Sequence, residues 1–129
     1  MRFAIHFALA AIFLAIPPQS IAGCNGCTDS YRICIANAKG TSFEIQSCQT
    51  NEEEIQEARL NTSFQRALKR LTPERQKELR GVQKSWLAYR LAASRYYVDS
   101  GLSGYKILSS DRHLKLTAER ISELNEIDY

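Results

Sequence analysis

The chain has 129 residues, with 17 Lys and Arg against 14 Asp and Glu, and a net charge of +3 when its histidines are neutral. That length is one domain's worth by the usual prior of roughly 100 to 200 residues. The charge is too mild for the basic footprint of a nucleic-acid-binding protein, so no nucleic acid is expected as a partner.

Residues 1–22 of "MRFAIHFALAAIFLAIPPQSIAG" are expected to be an export signal rather than part of the fold. Arg2 gives a short positive start, Phe3 to Ile16 are almost unbroken apolar residues, and Pro17-Pro18 end the run. Ser20 and Ala22 put small residues where a signal peptidase reads. The run is too short for a membrane span, which needs about 20 apolar residues. The junction Ile21-Ala22-Gly23-Cys24 also fits the lipobox at which bacterial lipoproteins are cut and acylated on the cysteine, but the spacer Pro17 to Ala22 favours plain cleavage after Ala22. Removing 22 of 129 residues leaves 107, and the loss of Arg2 lowers the net charge from +3 to +2. The expected location is periplasmic or secreted, with lipid anchoring through Cys24 as the alternative and the sole route to a membrane.

Residues 23–50 form a cysteine-rich segment holding Cys24, Cys27, Cys34 and Cys48. An exported chain meets an oxidising compartment, so two disulfides are expected, with three pairings open. Cys24-x-x-Cys27 lacks the second close Cys/His pair that a structural zinc site requires. It also lacks the strand and helix pattern of a thioredoxin-like redox motif. Within this segment Asp29 to Ala38 reads as a short helix.

Residues 51–129 read as helices, with no alternating strand pattern. From Asn51 a first long helix places Leu60, Phe64, Ala67, Leu68 and Leu71 on one side. Glu52, Glu53 and Glu54 stand at its expected start and Arg66, Lys69 and Arg70 at its end, as the helix dipole favours. Thr72-Pro73 then stops this helix and caps the next, which predicts antiparallel neighbours. The second helix is expected to run to about Val98, with an apolar stripe of Leu79, Val82, Trp86, Ala93 and Tyr97 flanked by Tyr89 and Tyr96. Asp99 to Tyr105, "DSGLSGY", reads as a loop. A last helix is expected from about Asp111, with Leu114, Thr117, Ile121 and Leu124 as its stripe. The fold class is therefore all-α: a small antiparallel bundle of two long helices and a C-terminal helix, stapled by disulfides at its N-terminal end.

One charge falls in an unexpected place. At 100° per residue Gln83 and Arg90 sit beside Trp86 on the apolar stripe, so the guanidinium is directed at the core margin. A half-buried guanidinium needs a carboxylate or several carbonyls, because leaving it unpaired costs several kcal/mol. The acid on the apolar side of the preceding helix is Glu57, one turn before Leu60. A Glu57–Arg90 interhelical pair is expected, with Gln83 or Asn61 completing the hydrogen bonds. The alternative is that both side chains snorkel to solvent.

As a set, Leu60-Asn61, Phe64, Leu71-Thr72-Pro73, Leu79, Gln83-x-x-Trp86-x-x-x-Arg90 and Leu116-Thr117-x-x-Arg120-x-x-x-Leu124 resemble the LprI-like domain of bacterial lysozyme inhibitors. The resemblance runs from about Cys34 to Leu124. It puts the family's acid ahead of Leu-Asn on Glu57, with Leu60, Asn61, Thr117 and Arg120 as motif residues. It also implies pairing of Cys34 with Cys48, which leaves Cys24 for Cys27 or for lipid. Many members carry two further cysteines where this chain has Ser94 and about Arg112. Without that staple the segment Asp99 to Ser110 is expected to be less restrained.

The resemblance implies stoichiometric inhibition of a muramidase, hence a protein partner such as a lysozyme and no cofactor. A non-inhibitory envelope module, such as an immunity or assembly protein, is the alternative. After signal removal the chain has one histidine, His113, expected at the surface, and no Ser-His-Asp, metal or phosphate-loop pattern surrounds it. An enzyme is therefore not expected. "SGLSGY" invites comparison with the Ser-Gly-x-x-Tyr loop that β-barrel lysozyme inhibitors insert into their target, but Tyr105 is one residue too far from Ser100.

Overall fold

A computed structural model describes residues 24–98 and 104–127. The export signal expected at 1–22, and residues 99–103 of the expected loop, lie outside them. The described residues form four helices and no strand: α1 (Asp29–Asn37), α2 (Ser42–Lys69), α3 (Pro73–Arg95) and α4 (Tyr105–Asn125).

Local chemistry sets most of the ends. Thr28, Thr41 and Thr72 precede α1, α2 and α3 in extended conformation, and each hydroxyl accepts from a backbone N–H one turn on. Thr41-Ser42-Phe43-Glu44 is a capping box in which Glu44 accepts from the Thr41 hydroxyl and from Lys39 N. It starts α2 at Ser42, nine residues before the expected start at Asn51. Glu52, Glu53 and Glu54 are consequently mid-helix residues, and Glu52 is one of the most buried side chains in the protein. Two other ends move as well. α3 stops at Arg95 and closes with a turn over Tyr96–Val98, while α4 begins at Tyr105, six residues ahead of Asp111. Residues 105–110, expected as part of a loose loop, are helical.

α4 is the central element. It packs along α2 and also against α3, whereas α2 and α3 make no comparable approach to each other. The expectation of directly paired long helices is corrected on that point: the tight Thr72-Pro73 link joins them, but α4 takes the place between them. One apolar cluster joins Cys24, Cys27, Tyr31 and Cys48 to Leu114 and Ala118 of α4. The other joins Leu60, Ala67 and Leu68 to Leu79 and Leu124, with Phe64, Leu71, Trp86 and Ile121 packed around them.

The N-terminal segment is fixed by bonds of several kinds. Cys24 is joined to Cys27 and Cys34 to Cys48. Glu52 accepts from Thr28 N at 2.8 Å and from the Thr28 hydroxyl, and Gln56 donates to Glu52 at 2.7 Å and to Gly26 O at 3.0 Å. Gly26 has φ +93°, and a Cβ there would lie 3.2 Å from Ala118 Cβ, so this turn needs glycine for both backbone and space.

α3 shows the largest difference from the periodicity reading. Its buried positions are Leu79, Gln83, Arg90 and Ser94, three of them polar, while Val82 is 53% exposed. The inward face of α3 is a polar one turned toward α4.

Candidate functional site

The polar face of α3 meets a matching face of α4. Gln83, Trp86 and Arg90 recur at three and four residues on α3, and His113, Thr117 and Arg120 do so on α4, so each set lies on one side of its helix. Arg90 Nη1 donates to Thr117 Oγ1 at 2.9 Å, and Arg120 Nε donates to Gln83 Oε1 at 3.0 Å. The later residue of α3 meets the earlier residue of α4, which makes the two helices antiparallel.

Arg90 also reaches α2, where its Nη1 donates to Glu57 Oε1 at 2.5 Å. The guanidinium carbon of Arg90 sits 4.9 Å from the Trp86 ring centroid and that of Arg120 sits 5.9 Å away. Such contacts contribute about 0.5 to 2 kcal/mol each, more as they are desolvated. Arg120 Nη1 continues to Glu123 Oε2 at 2.8 Å. Thr117, fully buried, donates its own hydroxyl to His113 O at 2.8 Å, so both its hydrogen-bonding roles are used.

The structure therefore joins Glu57 to Arg90 and sets the Arg90 guanidinium over Trp86, but the partners expected to complete the pair are different. Gln83 serves Arg120 instead, and Asn61 is exposed, its side chain making no hydrogen bond among the described residues. Thr117 and His113 take those places. His113, expected at the surface near a helix start, is in the body of α4 with its Nε2 3.0 Å from Glu57 Oε1 and its side chain 26% exposed. Nothing in the sequence distance of 56 residues signals that contact. Of the other motif residues, Leu60 is buried in the second apolar cluster and Arg120 is buried against α3. Ser94 is buried, and its hydroxyl has no hydrogen-bond partner among the described residues. Arg112 donates to the Tyr89 hydroxyl at 3.1 Å.

Charge at this junction is governed by Glu57. The hydrogen bond to His113, and next the bond and charge of Arg90, hold its carboxyl below the ordinary carboxylate value, against the opposing effect of partial burial. The carboxylate is thus anionic at neutral pH. Both contacts fall on Oε1, and Oε2 makes none among the described residues.

This network lies within a span that matches a known protein family. The model of the lysozyme inhibitor LprI family matches residues 34–124. The chain belongs to that family. Comparisons with curated proteins and with solved structures give no match. The LprI match takes in Cys34–Cys48 and every member of the three-helix network from Glu57 to Arg120, and it leaves Cys24 and Cys27 outside. In this LprI-family chain the residues of the network are largely internal: they tie α2, α3 and α4 together and present one half-exposed carboxylate at the margin.

No helix among the described residues is long and apolar enough to cross a membrane. The described residues also contain no group of three or more His, Cys, Asp or Glu positioned to hold a metal ion.

Proposed function

We propose that this chain is an exported envelope protein that binds a muramidase in fixed stoichiometry and blocks it. The observation that carries this reading is the LprI family match across residues 34–124, a span that holds the whole three-helix network. The character of that network supports binding over turnover. Arg90, Arg120, Thr117 and His113 are engaged in bonds between or along helices, the arrangement of a rigid scaffold rather than of a poised acid and base.

The reading extends to location. The sequence of residues 1–22 supports export, and cleavage after Ala22 would release a soluble periplasmic or secreted protein. Engagement of Cys24 Sγ with Cys27 supports that form over the lipid-anchored one, since an acylated sulfur cannot also form a disulfide. With a net charge of only +2 after cleavage, long-range steering toward a cationic muramidase is absent and recognition is local.

The test is a titration of the purified exported protein against a muramidase. Residual activity should fall linearly to a plateau set by molar ratio. Progressive loss of the muramidase caused by trace amounts would make this protein an enzyme. Co-purification with another envelope protein, without effect on muramidases, would make it a non-inhibitory module.

A further inference from the structure

Because α4 separates α2 from α3 along much of their length, the two leave an open groove of about 360 Å³ between them. Leu60, Phe64 and Leu87 give it apolar walls, and Glu57, Asn61 and Gln83 line it with polar atoms. Besides the exposed Asn61 amide, two of those atoms are unused among the described residues. Glu57 directs both its internal contacts through Oε1, so Oε2 is an acceptor with no partner among the described residues, on a side chain 45% exposed. Gln83 is 7% exposed, and its oxygen is identified by accepting from Arg120 Nε, a group that can only donate. Its Nε2 is therefore a donor, and it makes no hydrogen bond among the described residues. Glu53 and Glu54 lie one turn N-terminal to Glu57 on the same side of α2 and add negative potential at this end.

Unpaired donors and acceptors beside apolar walls specify the chemistry of an occupant. A basic side chain has an aliphatic stem for Leu60, Phe64 and Leu87 and a cation for the carboxylate. Its own main-chain carbonyl, a few ångströms away, suits the amide donor. The two flanks of α3, with exposed Tyr89 and Tyr96 on one side and Leu91 on the other, offer apolar area, but neither is lined by a comparable carboxylate and amide pair.

We propose that the groove between α2 and α3 is the docking site for a basic side chain of the protein partner, with its cation on Glu57 Oε2 and a neighbouring carbonyl on Gln83 Nε2. This rests on the binding reading above and names where and what that surface grips. Glu57 is suited to the task because Arg90 and His113 keep it ionised and fix its rotamer while leaving one oxygen outward.

The discriminating variant is Asn61→Lys. Asn61 is exposed and four residues after Glu57, an arrangement in which a lysine pairs with the glutamate and supports the helix, so folding should be untouched. The new ammonium would occupy the place of the ligand's cation. Phe43→Lys, with the same charge change on an exposed residue at the far end of α2, is the control. The first probe is a blocked Ala-Leu-Arg-Leu-Ala peptide, followed through the side-chain NH2 resonances of Asn61 and Gln83. Saturable shifts at both are expected in the parent and are lost when glutamate replaces the peptide's arginine, and the affinity read from the Gln83 resonance alone should weaken more than tenfold in Asn61→Lys but not in Phe43→Lys. Absence of those shifts, or shifts indifferent to Asn61→Lys, overturns the proposal.

The second probe is a cationic animal-type lysozyme. If it is inhibited equally by the parent and by Asn61→Lys, the groove is wrong and the inhibitor reading stands. If the peptide docks as described and the lysozyme is unaffected, the groove stands and the inhibitor reading falls.

Discussion

Removing Arg90 and removing Glu57 should have unequal consequences, although the two residues form one ion pair. Arg90 is buried, bonded to Thr117 and stacked on Trp86, whereas the Glu57 side chain is 45% exposed and has a second partner in His113. Arg90→Ala deletes a charged hydrogen bond of about 1.5 to 3 kcal/mol, a cation–π contact of about 0.5 to 2, and an ion pair that partial solvent access reduces to about 1. These terms overlap, and a total loss of about 3 to 5 kcal/mol is expected. In Glu57→Ala the guanidinium keeps Thr117 and Trp86, and water can enter where the carboxylate stood, so a loss of about 1 to 2 kcal/mol is expected. The double variant should lose about 1 kcal/mol less than the sum of the two. Urea unfolding of the four proteins measures this cycle directly. In a domain with total stability of about 5 to 15 kcal/mol, Arg90→Ala should remove a large fraction of it. Equal losses for the two single variants, or strict additivity, would refute the assignment of Arg90 to the interior junction of three helices.

Glu57 also predicts a pH dependence. Its folded carboxyl titrates below its ordinary value, so its contribution is fully present above the unfolded value of about 4.3 and is lost as pH falls through the folded value. The stability gap between the parent and Glu57→Gln, followed by thermal melts from pH 6 down to 3, should therefore narrow on acidification; a constant gap would remove Glu57 from the account. Two glycines should respond in opposite directions. Gly26→Ala, strained at φ +93° and crowded by Ala118, should destabilise by about 1 to 3 kcal/mol, while Gly81→Ala inside α3, with open space around it, should stabilise by about 0.5 to 1, both read from chemical denaturation. Replacing Cys34 and Cys48 together by alanine should cost about 3 kcal/mol, the loop-closure expectation for a link of this span. A non-reducing peptide map that joined Cys27 to Cys48 would contradict the bonding described.

Residues close in sequence determined much of this protein by themselves. Leu60, Ala67, Leu68, Leu114 and Leu124 repeat at helical spacing, and that period alone makes one face of α2 and one of α4 apolar. Thr72-Pro73 ends one helix and begins the next through backbone chemistry that needs no tertiary contact. The capping box Thr41 to Glu44 was equally legible, and it fixes the start of α2 nine residues ahead of the acidic run that resembles a helix start.

Burial had to be decided elsewhere. Glu52 and Glu53 have the same intrinsic preferences, yet Glu52 is enclosed because the turn at Thr28 folds back over it and satisfies its carboxylate. Val82 fits an apolar stripe and is exposed, while Gln83 beside it is buried, because what faces α3 is the polar row of α4. That α4 would lie between the two long helices is not encoded in the period of either one. A helix periodicity tells which side of a helix is alike, but only the neighbour supplies the partners that make burying a charge or an amide affordable. The pairing of His113 with Glu57, and the groove left beside them, exist only once three helices meet.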